Sequence, residues 1–562
     1  MASVSRLAVI SSENIRDIDA ETLTMAEDVS STPVTQPKSR AFYLSFVAIM
    51  VTIFLSALDL SAVSTALPTI AEALNDTKGD FTWVGSAYAL SSTVFIPLSG
   101  SLAEAFGRRP IMLLAITFFT IGSALTGAAQ NMSMIIAARA IQGVGGGAII
   151  NVSEILVADL VPLSERGLYQ GLIGLIWSLA SCIGPPIGGA LANNGHKAWR
   201  WLFFLNLPIC VVAFLLVVFF LRVRTPPGST RKKLAQVDWI GNAIVVLGSG
   251  LSIIGLTWGG IRYPWKSAEV LAPLVIGLVL LVVFGVFEAK VPSRPTIPSD
   301  IVSNRTTLSG LLATAIHGIV SIAVIYYLPV FFQACFGASP VRSSVDYLPA
   351  ALVTAPFALV AGVLVNALNK YRAVNFTGWI FLLVGFGLFS TLREDSSVGK
   401  WVGFQIIVAI GIGMLFSAPI FPLLAPLPPN RAAAALALFS FTRSFFQTWG
   451  ITISSTILQN MLKKKLPAEF IGRFPEGFEI AYAAIPIIKQ LDESLKKQVQ
   501  AAFAQSIAVI WQAMIGIAGL GLLFSLLMAE VPMANTVDEK YALEEKEVRL
   551  QVDVEEQPGL RS

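Results

Sequence analysis

The sequence predicts an all-α integral membrane protein with 14 transmembrane helices. Composition and the spacing of apolar runs carry this prediction. Of the 562 residues, 55% are hydrophobic and only 13% are charged, whereas a soluble domain carries about 25% charged residues. The mean hydropathy is +0.71, so lipid is the expected solvent for most of the chain.

The same composition excludes several classes of protein. The three cysteines, Cys182, Cys210 and Cys335, lie far apart inside apolar runs, which excludes a disulfide framework. Two histidines cannot form a His-rich metal site, and a net charge of +4 is too weak and too scattered to bind nucleic acid. A soluble enzyme, a secreted module and a nucleic-acid-binding protein are therefore excluded, and no cofactor is expected.

The predicted elements begin with a disordered cytosolic tail, because residues 1–40 lack the apolar core of a signal peptide. A bilayer span needs about 20 mostly apolar residues. Windows of this kind occur at 41–67, 82–101, 110–129, 134–156, 168–191, 201–221, 239–258, 269–288, 308–331, 346–366, 374–391, 402–424, 433–458 and 506–528. The charged segment 531–562 is predicted to be a second cytosolic tail.

An even number of spans places both termini on one side of the membrane. Lys and Arg are more frequent in the short loops on that side, which favours cytosolic termini. The basic run at 463–465, in the predicted outer loop 459–505, opposes this orientation. Apolar residues at helical spacing within that loop predict an amphipathic segment on the outer surface: Ile485, Ile488, Leu491, Leu495 and Val499.

An internal repeat organises the spans. Three positions of the loop after the second span recur after the tenth at a constant offset of 262, namely Gly100, Leu102 and Arg108 as Gly362, Leu364 and Lys370. The offset also maps the first span onto the ninth. We therefore predict a 6+2+6 arrangement, with six-helix halves at 41–221 and 301–530 and two inserted helices within 222–300. Parallel repeats of this kind are typical of transporters.

Six motifs resemble the major facilitator superfamily, and in particular its fourteen-span drug:proton antiporter branch. They lie at residues 58–68, 100–109, 139–145, 184–189, 199–208 and 326–333. Three positions depart from the pattern, since Glu104 replaces the usual Asp, Ala105 a common Arg and Ala180 a common Gly. The resemblance implies the major facilitator fold and alternating access driven by a proton gradient.

Five ionisable side chains lie well inside the predicted spans: Asp59, Arg139, Glu154, His317 and Arg443. Charges at membrane depth cost about 2.5–3.5 kcal/mol each on insertion scales, so their presence is informative. Asp59 is the candidate for proton coupling or substrate contact, because coupling needs a group that changes its protonation. The alternative is a packing role in which Asp59 bonds Ser56, Ser61 or Thr65.

The other four side chains each leave two interpretations open. The family resemblance implies that Arg139 tunes a carboxylate in proton transfer, whereas a snorkelling Arg would reach the outer headgroups. Glu154 could pair with Arg139 or reach the inner interface beside Asp159. His317 fits a packing hydrogen bond better than a substrate contact, and Arg443 could bind an acid or the substrate.

Two glycine-containing motifs predict moving parts. The inner loop is predicted to latch one closed state, with topological charge as the alternative; its residues are Gly100, Glu104, Gly107, Arg108 and Arg109. The fifth-span motif implies a flexible seam that favours export, with static packing as the alternative; its residues are Gly184, Pro185, Gly188 and Gly189. Asn75 and Asn131 begin sequons in predicted outer loops and are candidate glycosylation sites.

The sequence thus predicts a monomeric plasma-membrane exporter that exchanges protons for small amphiphilic organic compounds. The resemblance suggests a fungal pump for xenobiotics or for a secondary metabolite or toxin. One alternative is a basic amino acid carrier of the vacuolar membrane, which should place more carboxylates in the cavity. Another is a transporter-like sensor that does not transport.

Overall fold

The computed structural model describes residues 38–74, 82–194, 197–260, 262–472, 474 and 480–533. Within these ranges the regular structure is helical, apart from an isolated bridge between Gly259 and Tyr263. The all-α prediction is confirmed. The predicted tails lie almost entirely outside the described residues, as does Asn75. The chain divides into two units, Met1–Tyr43 and Leu44–Ser562, and the site lies in the second.

The first six predicted spans form eight helical segments. They are α1 (Arg40–Ala73), α2 (Thr82–Val94), α3 (Ile96–Phe106), α4 (Arg108–Gly127), α5 (Met132–Leu160), α6 (Arg166–Asn193), α7 (Arg200–Phe204) and α8 (Asn206–Phe220). A bend of 44° separates α2 from α3. Pro97 lies in the first turn of α3, where the missing N–H of proline removes no intrahelical bond.

Two inserted helices follow, flanked by short ones. This region contains α9 (Thr230–Leu234), α10 (Trp239–Trp258), α11 (Ala268–Lys290) and α12 (Asp300–Ser303). Helices α10 and α11 pack closely because each has a glycine where the other helix approaches. Gly255 of α10 lies against Leu274 of α11, and Gly277 of α11 lies against Ser252 of α10. Only 17% of the apolar stretch of α11 is buried, so most of this helix is available to lipid.

The remaining helices form the last predicted spans. They are α13 (Arg305–Phe336), α14 (Pro340–Leu368), α15 (Tyr371–Phe389), α16 (Val398–Ser417), α17 (Ile420–Leu424), α18 (Ala432–Lys465), α19 (Ala468–Ile471), α20 (Ile480–Ile488) and α21 (Glu493–Ser525), with a 3₁₀ turn at Pro429–Arg431.

The number of spans differs from the predicted fourteen. Among the described residues, twelve helices are long and apolar enough to cross a bilayer, or thirteen if α2 and α3 form one bent span. The predicted span 433–458 lies within α18, which has 34 residues and a length of about 50 Å. Helix α18 is too polar to meet the same test, because it carries Arg443 and Gln447 and ends in three lysines.

The predicted outer loop is shorter than expected. Helix α18 extends to Lys465, and α21 begins at Glu493. The apolar residues assigned to one amphipathic segment are divided, since Ile485 and Ile488 lie on α20 whereas Leu495 and Val499 lie on α21. That segment was therefore wrongly predicted, because apolar spacing on two successive helices resembles the period of one.

Helices of the first six predicted spans meet helices of the last six along two seams. On α6 and α14, Gly167 and Gly362 bring the two backbones into contact, and Ser178 Oγ donates to the Ala351 carbonyl oxygen at 3.1 Å. Helix α18 packs against α3 and α5. In lipid, small residues allow such close approach and so favour helix association.

Candidate functional site

Asp59 on α1 and Arg139 on α5 form a buried ion pair. Arg139 Nη1 lies 2.6 Å from Asp59 Oδ2, and both side chains are 0% exposed. Arg139 therefore does not snorkel to the headgroups. Nor does Asp59 rely on the hydroxyls of its own helix, because Ser56 Oγ bonds Tyr88 Oη at 3.0 Å and Ser61 Oγ donates to two carbonyl oxygens.

The side chain of Thr65 lies outside the described residues. Amide groups from other helices surround the ion pair. Gln142 Nε2 and Asn206 Nδ2 donate to Asp59 Oδ1 at 2.9 and 2.8 Å, and Arg139 Nη1 also donates to Gln142 Oε1 at 2.7 Å. The carboxylate thus accepts hydrogen bonds from three side chains, those of Arg139, Gln142 and Asn206.

Ser123 joins the two amides into one network. Its Oγ accepts from Asn206 at 3.0 Å and from Gln142 at 3.3 Å, and donates to the Phe203 carbonyl oxygen. No role was predicted from the sequence for Ser123, Gln142 or Asn206. Gln142 and Asn206 lie in two of the family-like motifs, so the presence of polar amides at membrane depth could have identified them.

Arg139 is enclosed on its remaining sides. Its Nε donates to the Val84 carbonyl oxygen at 3.0 Å, and its guanidinium lies 4.4 Å from the centre of the Tyr88 ring. In the part of the chain that the structure describes, Nη2 is buried without a hydrogen-bond partner. A buried guanidinium with an unused donor can respond when the charge on its carboxylate partner changes.

The glycines of α5 allow this network to form. A Cβ atom at Gly143, Gly146 or Gly147 would overlap α2, and one at Gly145 would overlap α4 around Phe119. Helices α2 and α4 can therefore approach α5 closely and enclose Arg139.

Glu154, four turns along α5 from Arg139, belongs to a second polar cluster. Its Oε2 accepts a hydrogen bond from Gln170 on α6, and its charge acts on Arg443 of α18. Fifteen residues of helix separate Glu154 from Arg139 by about 22 Å. The predicted alternative that Glu154 pairs with Arg139 is therefore wrong.

Arg443 is held between two aromatic rings. Its guanidinium carbon lies 4.5 Å from the centre of the Phe416 ring and 4.4 Å from that of Phe439, and Nη2 donates to the Phe416 carbonyl oxygen at 2.7 Å. Arg443 Nε is buried without a partner within the described ranges. The cation thus keeps one unused donor among rings that suit an aromatic or apolar ligand.

His317 on α13 makes one hydrogen bond and keeps one free nitrogen. Its Nε2 lies 3.1 Å from the Ile412 carbonyl oxygen on α16, as expected for a packing histidine. Nδ1 is buried and has no partner among the described atoms. Gly318 lies beside the backbone of Arg443, so Glu154, His317 and Arg443 come from three helices that meet.

The inner-loop motif contains a second buried ion pair. Arg108 Nε lies 2.7 Å from Asp159 Oδ2 at the end of α5, and Nη1 donates to the Ala103 carbonyl oxygen at 2.9 Å. Gly107 has φ = +96°, which glycine tolerates best. Arg109 donates to the Val218 carbonyl oxygen on α8. Arg108 and Asp159 thereby fix the turn between α3 and α4 to the end of α5.

Other motif residues of this loop face outward or pack against α18. Glu104 is exposed and lines a groove of about 380 Å³ that also includes Arg431. A Cβ atom at Gly100 would lie 2.8 Å from Ala437 Cβ on α18. The loop motif therefore contacts the helices of both halves.

The fifth-span motif packs against α1 just beyond Asp59. A Cβ atom at Gly184 would overlap Ser61 Oγ, whose hydroxyl donates to the Ala180 carbonyl oxygen at 3.0 Å. Pro185 lies inside α6, and a Cβ at Gly189 would lie 3.1 Å from Val341 on α14. Helix α6 thus joins the helix that carries Asp59 to the seam with α14.

Asn131, the described sequon residue, caps a helix. It is exposed, and its Oδ1 accepts a hydrogen bond from the Met134 backbone N–H at 2.9 Å, at the start of α5. Its glycosylation stays a prediction.

Comparison with known proteins gives consistent results. The family model "Major Facilitator Superfamily" matches residues 49–451. The "Efflux pump FUS6" of Gibberella moniliformis is 37% identical over 523 residues, covering 92% of each chain, and the "MFS-type efflux pump LUC4" of Fusarium sp is 36% identical over 534 residues, covering 94% of each.

A solved structure supports the fold alone. The human organic anion transporter MFSD10 shares 15% sequence identity with this chain at a TM-score of 0.54, covering 86% of this chain and 100% of that one.

Proposed function

We propose a function for this chain on the premise that it belongs to the Major Facilitator Superfamily and is a multi-pass membrane transporter rather than an enzyme. In this proposal it exports a small amphiphilic organic compound in exchange for protons. The cargo is a xenobiotic or a secondary metabolite or toxin, by analogy with relatives that are named efflux pumps. The observation that carries proton coupling is the fully buried Asp59–Arg139 pair.

Asp59 binds the coupling proton in this proposal. Protonation removes the charge that Arg139 compensates, so the ion pair and the two amide hydrogen bonds weaken together. Because these contacts join α1, α5 and α8, their strength biases the equilibrium between inward-open and outward-open states. The proton gradient is the only energy source required, and no cofactor takes part.

The second cluster contacts the cargo. Arg443 and His317 each keep a buried polar atom without a partner, next to Phe416 and Phe439. Aromatic walls with a few polar groups suit amphiphilic ligands. The site lies where α5, α13 and α18 meet, so a ligand there would contact both six-helix halves. We place the protein, as a monomer with both termini cytosolic, in the plasma membrane.

Efflux from yeast that lacks its own exporters tests the proposal. Cells expressing the chain are loaded with a panel of amphiphiles, and retained compound is measured with and without a protonophore. We expect at least one compound to be lost faster than from empty-vector cells, and the protonophore to abolish the difference. Efflux that persists under the protonophore would contradict proton coupling. Localisation to the vacuole would instead favour the amino acid carrier.

A further inference from the structure

Two carboxyl groups at the inserted helices each have one buried oxygen that accepts no hydrogen bond from the described residues. Asp238 precedes α10, and its Oδ1 accepts the Gly241 backbone N–H at 2.9 Å. Glu288, near the end of α11, accepts the Ile297 backbone N–H on Oε2 at 3.2 Å. The second oxygens, Asp238 Oδ2 and Glu288 Oε1, are buried and receive no hydrogen bond from the described residues.

Asp238 Oδ2 and Glu288 Oε1 lie close to each other beside Gly241. A Cβ atom at Gly241 would overlap both Asp238 Oδ2 and Glu288 Oε1, so both oxygens border the same small space. The side chains are close enough to hydrogen-bond each other. Glu288 is only 6% exposed, so its carboxyl group is largely shielded from solvent. The absence of a side chain at Gly241 is what admits this approach.

Two ionised carboxylates in this position would repel each other and leave two buried acceptors unsatisfied. A proton on one of them provides the missing donor and removes the repulsion in a single step. The charged groups nearby do not replace it. Glu104, Arg294 and Arg431 line the groove with Asp238, but Arg431 pairs with Asp300 at 3.0 Å.

Lys290, two residues beyond Glu288, is exposed, as are Arg231 and Lys232 of α9 on the other side of Asp238. The third basic residue of α9, Lys233, is half-buried. Neither Asp238 nor Glu288 makes an ion pair within the described ranges. The space between their oxygens therefore lacks a positive partner.

We propose that Asp238 and Glu288 share one proton and form a second protonation site, on the inserted helix pair. This site is separate from Asp59, and the proposal does not depend on the exported compound. Asp238 lines the groove of about 380 Å³, so the proton can exchange with water there. The groove lies at the end of the molecule predicted to be cytosolic.

The site is joined to the inner loop by hydrogen bonds. Asn242, one residue beyond Gly241, donates to Thr296 Oγ1 at 2.9 Å and to Ser101 Oγ on α3 at 3.3 Å. Glu288 holds the next residue, Ile297, through its backbone. Loss of the shared proton would separate Glu288 from Asp238 and so loosen the contact between the inserted pair and α3.

Infrared spectroscopy of the purified full-length chain tests the shared proton directly. A protonated carboxyl has a C=O stretch distinct from that of a carboxylate. We expect Glu288→Gln and Asp238→Asn each to lose one carboxylic-acid equivalent per chain at neutral pH relative to wild type. Glu269→Gln is the matched control, since Glu269 lies exposed at the other end of α11 and should leave the band unchanged.

Identical acid bands in wild type and both variants, from neutral to alkaline pH, would overturn the proposal, because both carboxyls would then be ionised. The absence of an acid band in wild type would also overturn the proposal, and this result does not depend on the folding of any variant. A band that remains in one variant and disappears in the other would also overturn sharing, since one residue alone would hold the proton. The measurement needs no transport, so its failure is distinguishable from failure of the export proposal.

Discussion

At the scale of single residues, Asp59 and Arg139 are costly to keep in the membrane. Insertion scales assign about 2.5–3.5 kcal/mol to each charge at a helix centre, and the structure compensates them with an ion pair and two amides. Apolar packing would stabilise such a position at least as well. The proposed role of Asp59 in proton coupling would account for the presence of these charges.

Replacing Asp59 with Asn tests that role. The amide keeps the size of the side chain but cannot bind and release a proton, so we expect gradient-driven efflux to fall to the level of empty-vector cells while surface expression is retained. Asp395→Asn, in an exposed loop, is the matched control and should transport normally. Full efflux by the Asp59 variant would show that coupling lies elsewhere.

The stability of the pair can be measured separately from transport. Arg139→Met should lower the unfolding free energy by about 3–5 kcal/mol, because it leaves Asp59 as an unpaired buried charge. Adding Asp59→Asn should recover most of that loss, as measured by the thermal unfolding midpoint of the detergent-purified chain. Additive losses in the double variant would mean that the two groups do not interact energetically.

At the scale of helices, glycine determines which pairs can pack. Helix α6 approaches α14 at Gly167, where the neighbouring atoms are the backbone of Gly362. Farther along α6, a Cβ atom at Gly174 would lie 3.4 Å from Ala358 Cβ and 4.0 Å from the Phe416 ring. The first contact leaves no room for a side chain, and the second is ordinary van der Waals contact. The seam is therefore sensitive to a side chain at Gly167 and tolerant of one at Gly174.

Two substitutions on α6 separate these cases. Gly167→Val should force α6 away from α14, lower the unfolding midpoint and reduce efflux, with an overpacking cost of about 1–3 kcal/mol. Gly174→Ala should leave both measurements close to those of wild type. If the two variants behave alike, the backbone contact at Gly167 does not govern the seam.

The turn between α3 and α4 is held by Arg108. Arg108→Ala removes the buried ion pair between Arg108 and Asp159, so the inner latch should open more often. We expect faster labelling of a single cysteine at Ala434, which lines the inner groove, and a changed rate at Val341. Arg222→Ala, an exposed position, is the control. Unchanged labelling would leave Arg108 with a topological role only.

At the scale of the whole molecule, the charged network is unequal between the halves. The offset of 262 maps Asp59 onto Ser321 and Arg139 onto Trp401, neither of which carries a charge. Arg443 and His317, in contrast, belong to the second half. The proposed proton site therefore lies in one half and the proposed ligand contacts lie mostly in the other, so coupling must pass between them along the seams.

The orientation of the molecule is testable in intact cells. Single cysteines at Lys197 and Ser229, both exposed, lie in loops predicted on opposite faces. We expect a membrane-impermeant thiol reagent to label the first without permeabilisation and the second only after it. The reverse pattern would invert the topology and would agree instead with the lysines at 463–465.

The sequence by itself determined that the chain lies in lipid, that it is helical and which family it belongs to, because composition and local motifs can be read from short stretches. It also identified Asp59, Arg139 and Arg443, since a charge inside an apolar run is visible without a structure. The count of fourteen spans is not confirmed, because α18, which contains the thirteenth predicted span, carries Arg443 and Gln447 and falls short of the apolar criterion that twelve other helices meet.

Only the tertiary structure decided which polar groups meet. Asp59 and Arg139 are 80 residues apart, and Asp59 and Asn206 are 147 apart, so no local period could pair them. Asp238 and Glu288 were not singled out at all, since acids at helix ends usually face water. Their contact exists because glycine at position 241 lets α10 and α11 close at that end, and packing of this kind is a property of the assembled helices.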